Sequence, residues 1–305
     1  MMRERVATDG LLVPGRAVVV LYSGGRDSTC LLDLAVSIAG AVAVTALHVN
    51  YGLREAALDD ERHCVSVCGR LGVRIEVRRP QRPDSGNLQA WARDERYGAA
   101  AAMALEVDGD VATGHTATDQ LETILYRLAS SPSRRALLGM RPREGRLVRP
   151  LLPFTRSDTE AYCRARGLQW RDDETNESDD YARGRVRHGL VPALRAVHPA
   201  AEANVLALAA VLRDEAEVLD GLVDDALDGR DDVSLEALRS MPGALRRLVV
   251  QRLADRAASG GLAPGAARRA DEIAALHNGA LDVGSGVRAA VRGGVVTFAR
   301  TPPIR

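Results

Sequence analysis

Five consecutive apolar residues, Ala17 to Leu21, run up to a glycine pair at Gly24-Gly25, and this stretch constrains the fold more than any other. An unbroken AVVVL run bounded by Gly15 and Gly24 does not alternate, so it needs cover on both faces, as a central strand of a parallel sheet does. A helix is expected from about Asp27 to Ile38, ended by Gly40. The same rhythm then repeats. Val42 to Val49 reads as a strand, Leu58 to Leu71 as an amphipathic helix capped by Gly72, and Arg74 to Val77 as a short strand. Asn87 to Leu105 reads as a long helix, Val111 to Thr113 as a strand and Thr118 to Leu128 as a helix. Strands alternating with helices of this length predict an α/β protein with a doubly wound parallel sheet. Such sheets bind ligands beyond the C-terminal ends of their strands.

The pattern changes near Pro199. Leu206, Leu208, Leu212, Val218, Leu219 and Leu222 mark a long helix, followed by helical stretches near Leu235 to Leu253 and Arg268 to Leu276. Val287 to Val291, Gly293-Gly294 and Val295 to Phe298 predict a β-hairpin. Two domains are therefore expected: residues 1–198, and a smaller helical and α+β domain over residues 199–305.

Ser23-Gly24-Gly25-Arg26-Asp27-Ser28 falls between the first strand and the first helix. Two glycines let the backbone turn tightly and approach a ligand closely. The helix start offers free N–H groups and partial positive charge to phosphate, and the two serines add hydroxyls. Asp27 alone would repel phosphate, so a carboxylate at this place points to a bridging Mg²⁺. Asp119 and Glu122 lie three apart at a helix start and share a face, which makes them candidate metal ligands with Asp27. Arg93 and Arg96 likewise share a helix face.

Composition narrows the chemistry further. All 41 residues counted as Lys+Arg are arginine, so no lysine can cradle a phosphate or carry an adenylyl group. Cys30, Cys64, Cys68 and Cys163 form no CxxC pair, and buried apolar roles suit them best. Net charge is zero, but it is unevenly placed. Six arginines and one acid lie between Arg134 and Arg149, against six acids between Asp172 and Asp180. Segregated basic segments can bind an RNA backbone despite overall neutrality. No run approaches the eighteen or so apolar residues of a membrane span, and no signal-type core follows the N-terminus, so a cytoplasmic, membrane-free protein is expected.

The missing lysine rules out a Walker loop. SGGRDS instead resembles the PP-loop of the N-type ATP pyrophosphatases, adenine nucleotide alpha hydrolase-like proteins that split ATP to AMP and pyrophosphate. Four segments resemble the tRNA(Ile)-lysidine synthetase family within that group. His48-Val49-Asn50-Tyr51-Gly52-Leu53-Arg54 is similar to its HVNHGLR, with Tyr51 for histidine. Asn87 to Tyr97 resembles its NxExxARxxRY helix, with Gln89 for the acid. Gly114 to Thr123 is similar to GHxxDDQxET, with Thr118 for the first aspartate. Asp173 to Asn176 and Arg183 to His188 resemble DPSN and RNxxRH, with Glu174 and Gly184 as departures.

The resemblance implies ATP and Mg²⁺ as cofactors, with a CAU-anticodon isoleucine tRNA and free L-lysine as partners. Dimers are frequent in the family, which leaves a homodimer open. It implies ATP binding by Ser23, Gly24, Gly25, Arg26, Asp27, Ser28, His48, Gly114 and His115. Asp27, Asp119, Glu122, Arg96 and Arg187 would surround the reaction, and Arg93, Arg134, Arg135, Arg183 and Arg185 would meet tRNA. A related thiolase, or a relative that binds nucleotide without turnover, is the alternative.

Overall fold

The structure, a computed structural model, describes residues 1–53, 55–131, 134–171, 182–258 and 262–301, without the side chain of Arg183. Contacts divide the chain into Met1–Ala209 and Ala210–Arg305. The sequence placed the boundary at 198/199, ahead of the helix within which this division falls.

In the first unit α1 (Met2–Thr8) leads to β1 (Val18–Leu21), α2 (Arg26–Ala39), β2 (Val44–Val49), α3 (Ala57–Leu71), β3 (Arg74–Arg78), α4 (Leu88–Glu106), β4 (Asp110–Ala112) and α5 (Ala117–Ser130). The chain continues through α6 (Arg135–Leu138), the hairpin β5 (Arg143–Glu144) and β6 (Leu147–Val148), α7 (Arg156–Ala165), α8 (Ala182–Arg185) and α9 (Val191–Val197) into the long α10 (Ala201–Leu227). The sheet order is β3-β2-β1-β4-β6-β5. All pairs are parallel except β5 with β6.

Every residue of β1 is buried, as its uninterrupted apolar sequence required. One side packs on α2 through Leu31, Leu34 and Ala35. The other carries Val19 and Leu21 against Ala100, Ala104 and Tyr97 of α4. Each of these valine and leucine side chains contributes about 1.5–3 kcal/mol on burial. The expected start of β2 at Val42 is displaced, because Ala41–Ala43 form a 3-10 turn before the strand.

The strand order fixes where a ligand can go. The chain leaves β1 toward β2 and β3 on one side and takes up β4 on the other, so the order reverses between β1 and β4. Sheets of this kind bind their ligands at such a reversal, beyond the strand ends. The segment after β1 is the SGGRDS loop and the segment after β4 is Gly114 to Thr118.

The second unit holds β7 (Asp232–Ser234), α11 (Leu235–Ser240), α12 (Gly243–Ala257), α13 (Ala270–Ala275), β8 (Gly279–Gly284), β9 (Val287–Arg292) and β10 (Val295–Arg300). Its sheet, in order β7-β10-β9-β8, is antiparallel. The expected hairpin is β9–β10. The helical stretch over 235–253 is in fact two helices, since Pro242 has no N–H to continue one. Leu238, Val249, Leu253 and Ile273 pack with Val287, Val291 and Val296 in a separate core.

Candidate active site at the sheet crevice

Gly24 turns the chain with φ +82°, and a methyl group there would lie 2.9 Å from Cys64 Sγ on α3. Both conditions admit only glycine. The loop is held from behind, where the Arg171 N–H donates to the Gly24 carbonyl (3.0 Å) and Arg171 pairs with Asp60 of α3 (2.6 Å). Gly25 caps α2 with no side-chain hydrogen bond. The starts of α4, α5 and α7, by contrast, are capped by Asn87, Thr116 and Thr155. The first-turn N–H groups of α2 are thus left without a side-chain acceptor, as an anion site needs. Ser28 Oγ lies 3.1 Å from Ser23 Oγ and donates to the Gly25 carbonyl (2.9 Å), which fixes the loop's width.

A Gly24→Ala variant is expected to lose about 2–3 kcal/mol, from left-handed backbone strain plus the contact with Cys64. Urea denaturation checks it. Unchanged stability would mean the loop relaxes freely.

The segment after β4 meets this loop directly. A methyl group on Gly114 would lie 3.2 Å from the backbone of Asp27 and Ser28, so Gly114 is what allows the close approach. Thr116 then caps α5. Its N–H (2.9 Å) and hydroxyl (2.7 Å) both donate to Asp119 Oδ2. Burial pushes the Asp119 carboxyl up, but Arg156 and the two Thr116 donors outweigh it, and the net shift is downward. Glu122, one turn further on, is 2% exposed. It accepts two hydrogen bonds from Arg187, at 2.7 and 3.0 Å. That fork raises the Arg187 pKa and keeps it charged. Arg187 sits in the π-helical turn Val186–Leu190, between α8 and α9.

Arg156, which the sequence did not single out, ties these acids together. Its guanidinium donates to Asp119 Oδ1 (2.9 Å) and lies 3.8 Å from both Asp27 Oδ2 and Glu122 Oε1. Asp27 also accepts from Arg26 Nε (3.1 Å) and from the Thr159 hydroxyl of α7. Helix α7 is clamped to α2 by two further contacts to buried Asp33, from the Tyr162 hydroxyl (2.6 Å) and the Arg166 fork. A signal for Arg156 was present. Thr155 and Asp158 repeat the spacing of Thr116 and Asp119, and both pairs close capping boxes.

The structure therefore brings Asp27, Asp119, Glu122 and Arg187 into one charge network beside Ser23, Gly24, Gly25, Arg26, Ser28 and Gly114. His115 is adjacent, with Nδ1 2.8 Å from the Thr113 hydroxyl. His48 lies beneath the loop, buried in β2, and its Nδ1–H donates to the Tyr22 carbonyl (3.0 Å). Burial holds the His48 pKa below the usual 6.5. The unfolded chain takes up this proton near 6.5 while the folded protein resists it. The resulting stability is full above that pH and is lost as pH falls below it. Urea midpoints should therefore drop between pH 7 and 5.5, and less steeply in His48→Gln. Equal slopes would count against a buried neutral imidazole.

Other expected residues form a second group on α4. Tyr51 donates to the Ala92 carbonyl (2.7 Å) and meets the Trp91 ring edge-on at 5.6 Å, so the Asn50–Gly52 segment and α4 are joined. Arg93 and Arg96 flank the Tyr97 ring at 4.5 and 5.4 Å. Arg96 Nε is buried with no hydrogen-bond partner among the described residues. Of the basic stretch, Arg143 and Arg146 are tied to Asp110 and Asp108, and Arg149 is buried on Glu144 and the Arg141 carbonyl. These three serve the fold rather than a free basic face. Arg134 and Arg135 begin α6, and Arg185 is exposed at the end of α8. Asp173 to Asn176 and the Arg183 side chain lie outside the described residues. All four cysteines are free and buried.

Among the described residues no group of three or more His, Cys, Asp or Glu could alone hold a metal. Asp27 and Asp119 are nonetheless hard oxygen donors facing one cation, and Mg²⁺ characteristically takes one or two carboxylates and completes its shell with phosphate and water. The donor set fits Mg²⁺ shared with a triphosphate. Both Glu122 oxygens, offered by the sequence as metal ligands, are engaged by Arg187.

A reversing parallel sheet with an SGGRDS turn after its central strand is the arrangement of a PP-loop protein, and residues 3–194 match the family described as PP-loop domain. The tRNA(Ile)-lysidine synthase of Symbiobacterium thermophilum is 34% identical, with 99% of this chain and 69% of that protein covered. Those of Pseudomonas fluorescens and Thermus thermophilus are 39% and 36% identical over 67% and 83% of this chain. The chain belongs to the tRNA(Ile)-lysidine synthase family of PP-loop proteins. It spans about half the length of the Pseudomonas and Thermus relatives, 47% and 51%. A U34-tRNA thiolase from Methanococcus maripaludis shares the fold, with TM-score 0.59 at 15% identity over 70% of this chain and 78% of that one. Among the described residues no helix is long and apolar enough to cross a membrane.

Proposed function

We propose that the chain ligates free L-lysine to C2 of the wobble cytidine in a CAU-anticodon isoleucine tRNA. ATP adenylates O2 of that cytidine with loss of pyrophosphate. An amine of lysine then displaces AMP. Adenylation converts a poor leaving oxygen into a good one, which is the purpose of consuming ATP here. The likeness to a lysidine synthase over 99% of the chain is what carries this reading.

The chain's own residues suit each part. Ser23 to Ser28 hold the triphosphate at the start of α2. Asp27 and Asp119 would hold Mg²⁺, which would supply positive charge to the departing pyrophosphate. Arg187, kept rigid by Glu122, and Arg96, with a donor left over, stabilise the charge spread over the transferring phosphorus. The cytidine leaves its stack to reach the crevice. Arg93, Arg134, Arg135, Arg183 and Arg185 contact the tRNA backbone, together with the domain over residues 199–305.

Pyrophosphate release tests the reading. The first release should require the tRNA alone, sustained turnover should require tRNA and lysine together, and both should fail with a transcript whose anticodon is not CAU. Release with a sulfur donor in place of lysine would favour a thiolase. Cys64 and Cys68 count against that alternative, since burial pushes the Cys64 thiol far above its normal range and Cys68 to about 12.

A further inference from the structure

Arg156 stands at the first position of α7, directly after its capping Thr155. Its backbone N–H donates to Thr118 Oγ1 (3.3 Å), so the residue is anchored to α5 as well. From that anchor the guanidinium makes one hydrogen bond, to Asp119, and two longer ion pairs, to Asp27 and Glu122 at 3.8 Å. Its side chain is 28% exposed. The neighbouring cations are placed differently. Arg187 is held on Glu122 by two hydrogen bonds and Arg26 reaches Asp27 from within the loop.

Asp27 and Asp119 both face the Arg156 guanidinium, a cation that cannot be lost by deprotonation. Mg²⁺ needs the same lone pairs at about 2.0–2.1 Å. Arginine and Mg²⁺ therefore cannot both occupy the place between Asp27 and Asp119. Among the described residues one hydrogen bond holds the guanidinium there, in contrast to the double fork on Glu122, so this cation is the one that can move.

We propose that Arg156 is a partner-switching cation. Without nucleotide it fills the position between Asp27 and Asp119. When Mg²⁺ arrives with ATP, the guanidinium gives up the carboxylates and turns to the terminal phosphates, which bring the negative charge it has lost. The switch makes divalent-metal binding weak until a triphosphate is present. The proposal rests on the reading of Asp27 and Asp119 as the Mg²⁺ pair.

Titrating Mn²⁺ into the nucleotide-free protein, with free Mn²⁺ followed by electron paramagnetic resonance, tests it. Arg156→Gln should bind Mn²⁺ about tenfold more tightly than the wild type, the gain expected when a competing charge-assisted hydrogen bond is removed. The gain should vanish in Arg156→Gln/Asp119→Asn. The same variant should need more ATP for half-maximal pyrophosphate release. Equal Mn²⁺ affinity in wild type and Arg156→Gln, or a gain that survives Asp119→Asn, overturns the proposal. Should Arg156→Gln not fold, Arg156→Lys replaces it. An ammonium reaches one carboxylate at a time, so a smaller gain is expected, and no gain overturns the proposal. These titrations do not depend on the reaction catalysed. Tight Mn²⁺ binding by the variant alongside a wild type that never transfers lysine would sink the proposed function and leave the switch standing.

Discussion

Asp27→Ala should be a folded protein that releases no measurable pyrophosphate from ATP, a loss of about 10³-fold or more. The side chain is not part of the core, being about one-fifth exposed with its partners Arg26, Arg156 and Thr159 all polar. Its removal relaxes three contacts without opening an apolar cavity. What disappears is the one carboxylate carried by the phosphate loop itself, and with it half of the Mg²⁺ pair. Far-ultraviolet circular dichroism and urea unfolding should match the wild type while turnover vanishes. A variant that keeps full activity would remove Asp27 from the chemistry.

The second large effect concerns Glu122 and Arg187, and it is asymmetric. Glu122 is almost fully buried, whereas a quarter of the Arg187 side chain is exposed. Arg187→Ala leaves the buried member of the pair without its fork. Arg156 at 3.8 Å replaces it only in part, so about 3 kcal/mol should be lost. Glu122→Ala leaves an arginine that can turn toward water, and should cost about half as much. The double variant should therefore be more stable than Arg187→Ala alone. Both single variants should lose activity, because an arginine that is not held in place cannot meet a developing charge. Urea unfolding of all three decides the matter. Equal losses in the two single variants would show that burial does not govern the pair.

The fold was legible wherever a residue pattern had only one physical solution. The β1 run had to be central, Gly72 had to end α3, and it does so at φ +65°. The loop, Asp119 and Glu122 stood out because their residue types fell at helix starts, Gly114 and Arg187 through the resemblance to the family's motifs, and the structure brings them together. Arg156 was missed because its meaning lies in three partners far apart in sequence, at residues 27, 119 and 122. The basic stretch from Arg134 to Arg149 misled for the same reason. Counting charges could not reveal that Asp108, Asp110 and Glu144 had already claimed three of them. Short strands such as β5, β6 and β7 left no pattern, since two or three residues carry no period. Pro242 did mark the break between α11 and α12, and a period-based reading ran through it.

The proposed reaction joins lysine to an activated cytidine at the strand-order reversal between β1 and β4. Incubating the protein with ATP, labelled lysine and a CAU-anticodon isoleucine tRNA transcript, then digesting to nucleosides, measures that reaction directly. The label should appear in a single modified cytidine, with one AMP formed per label incorporated. Unlabelled nucleosides alongside steady ATP consumption, or label retained with any other anticodon, would contradict it.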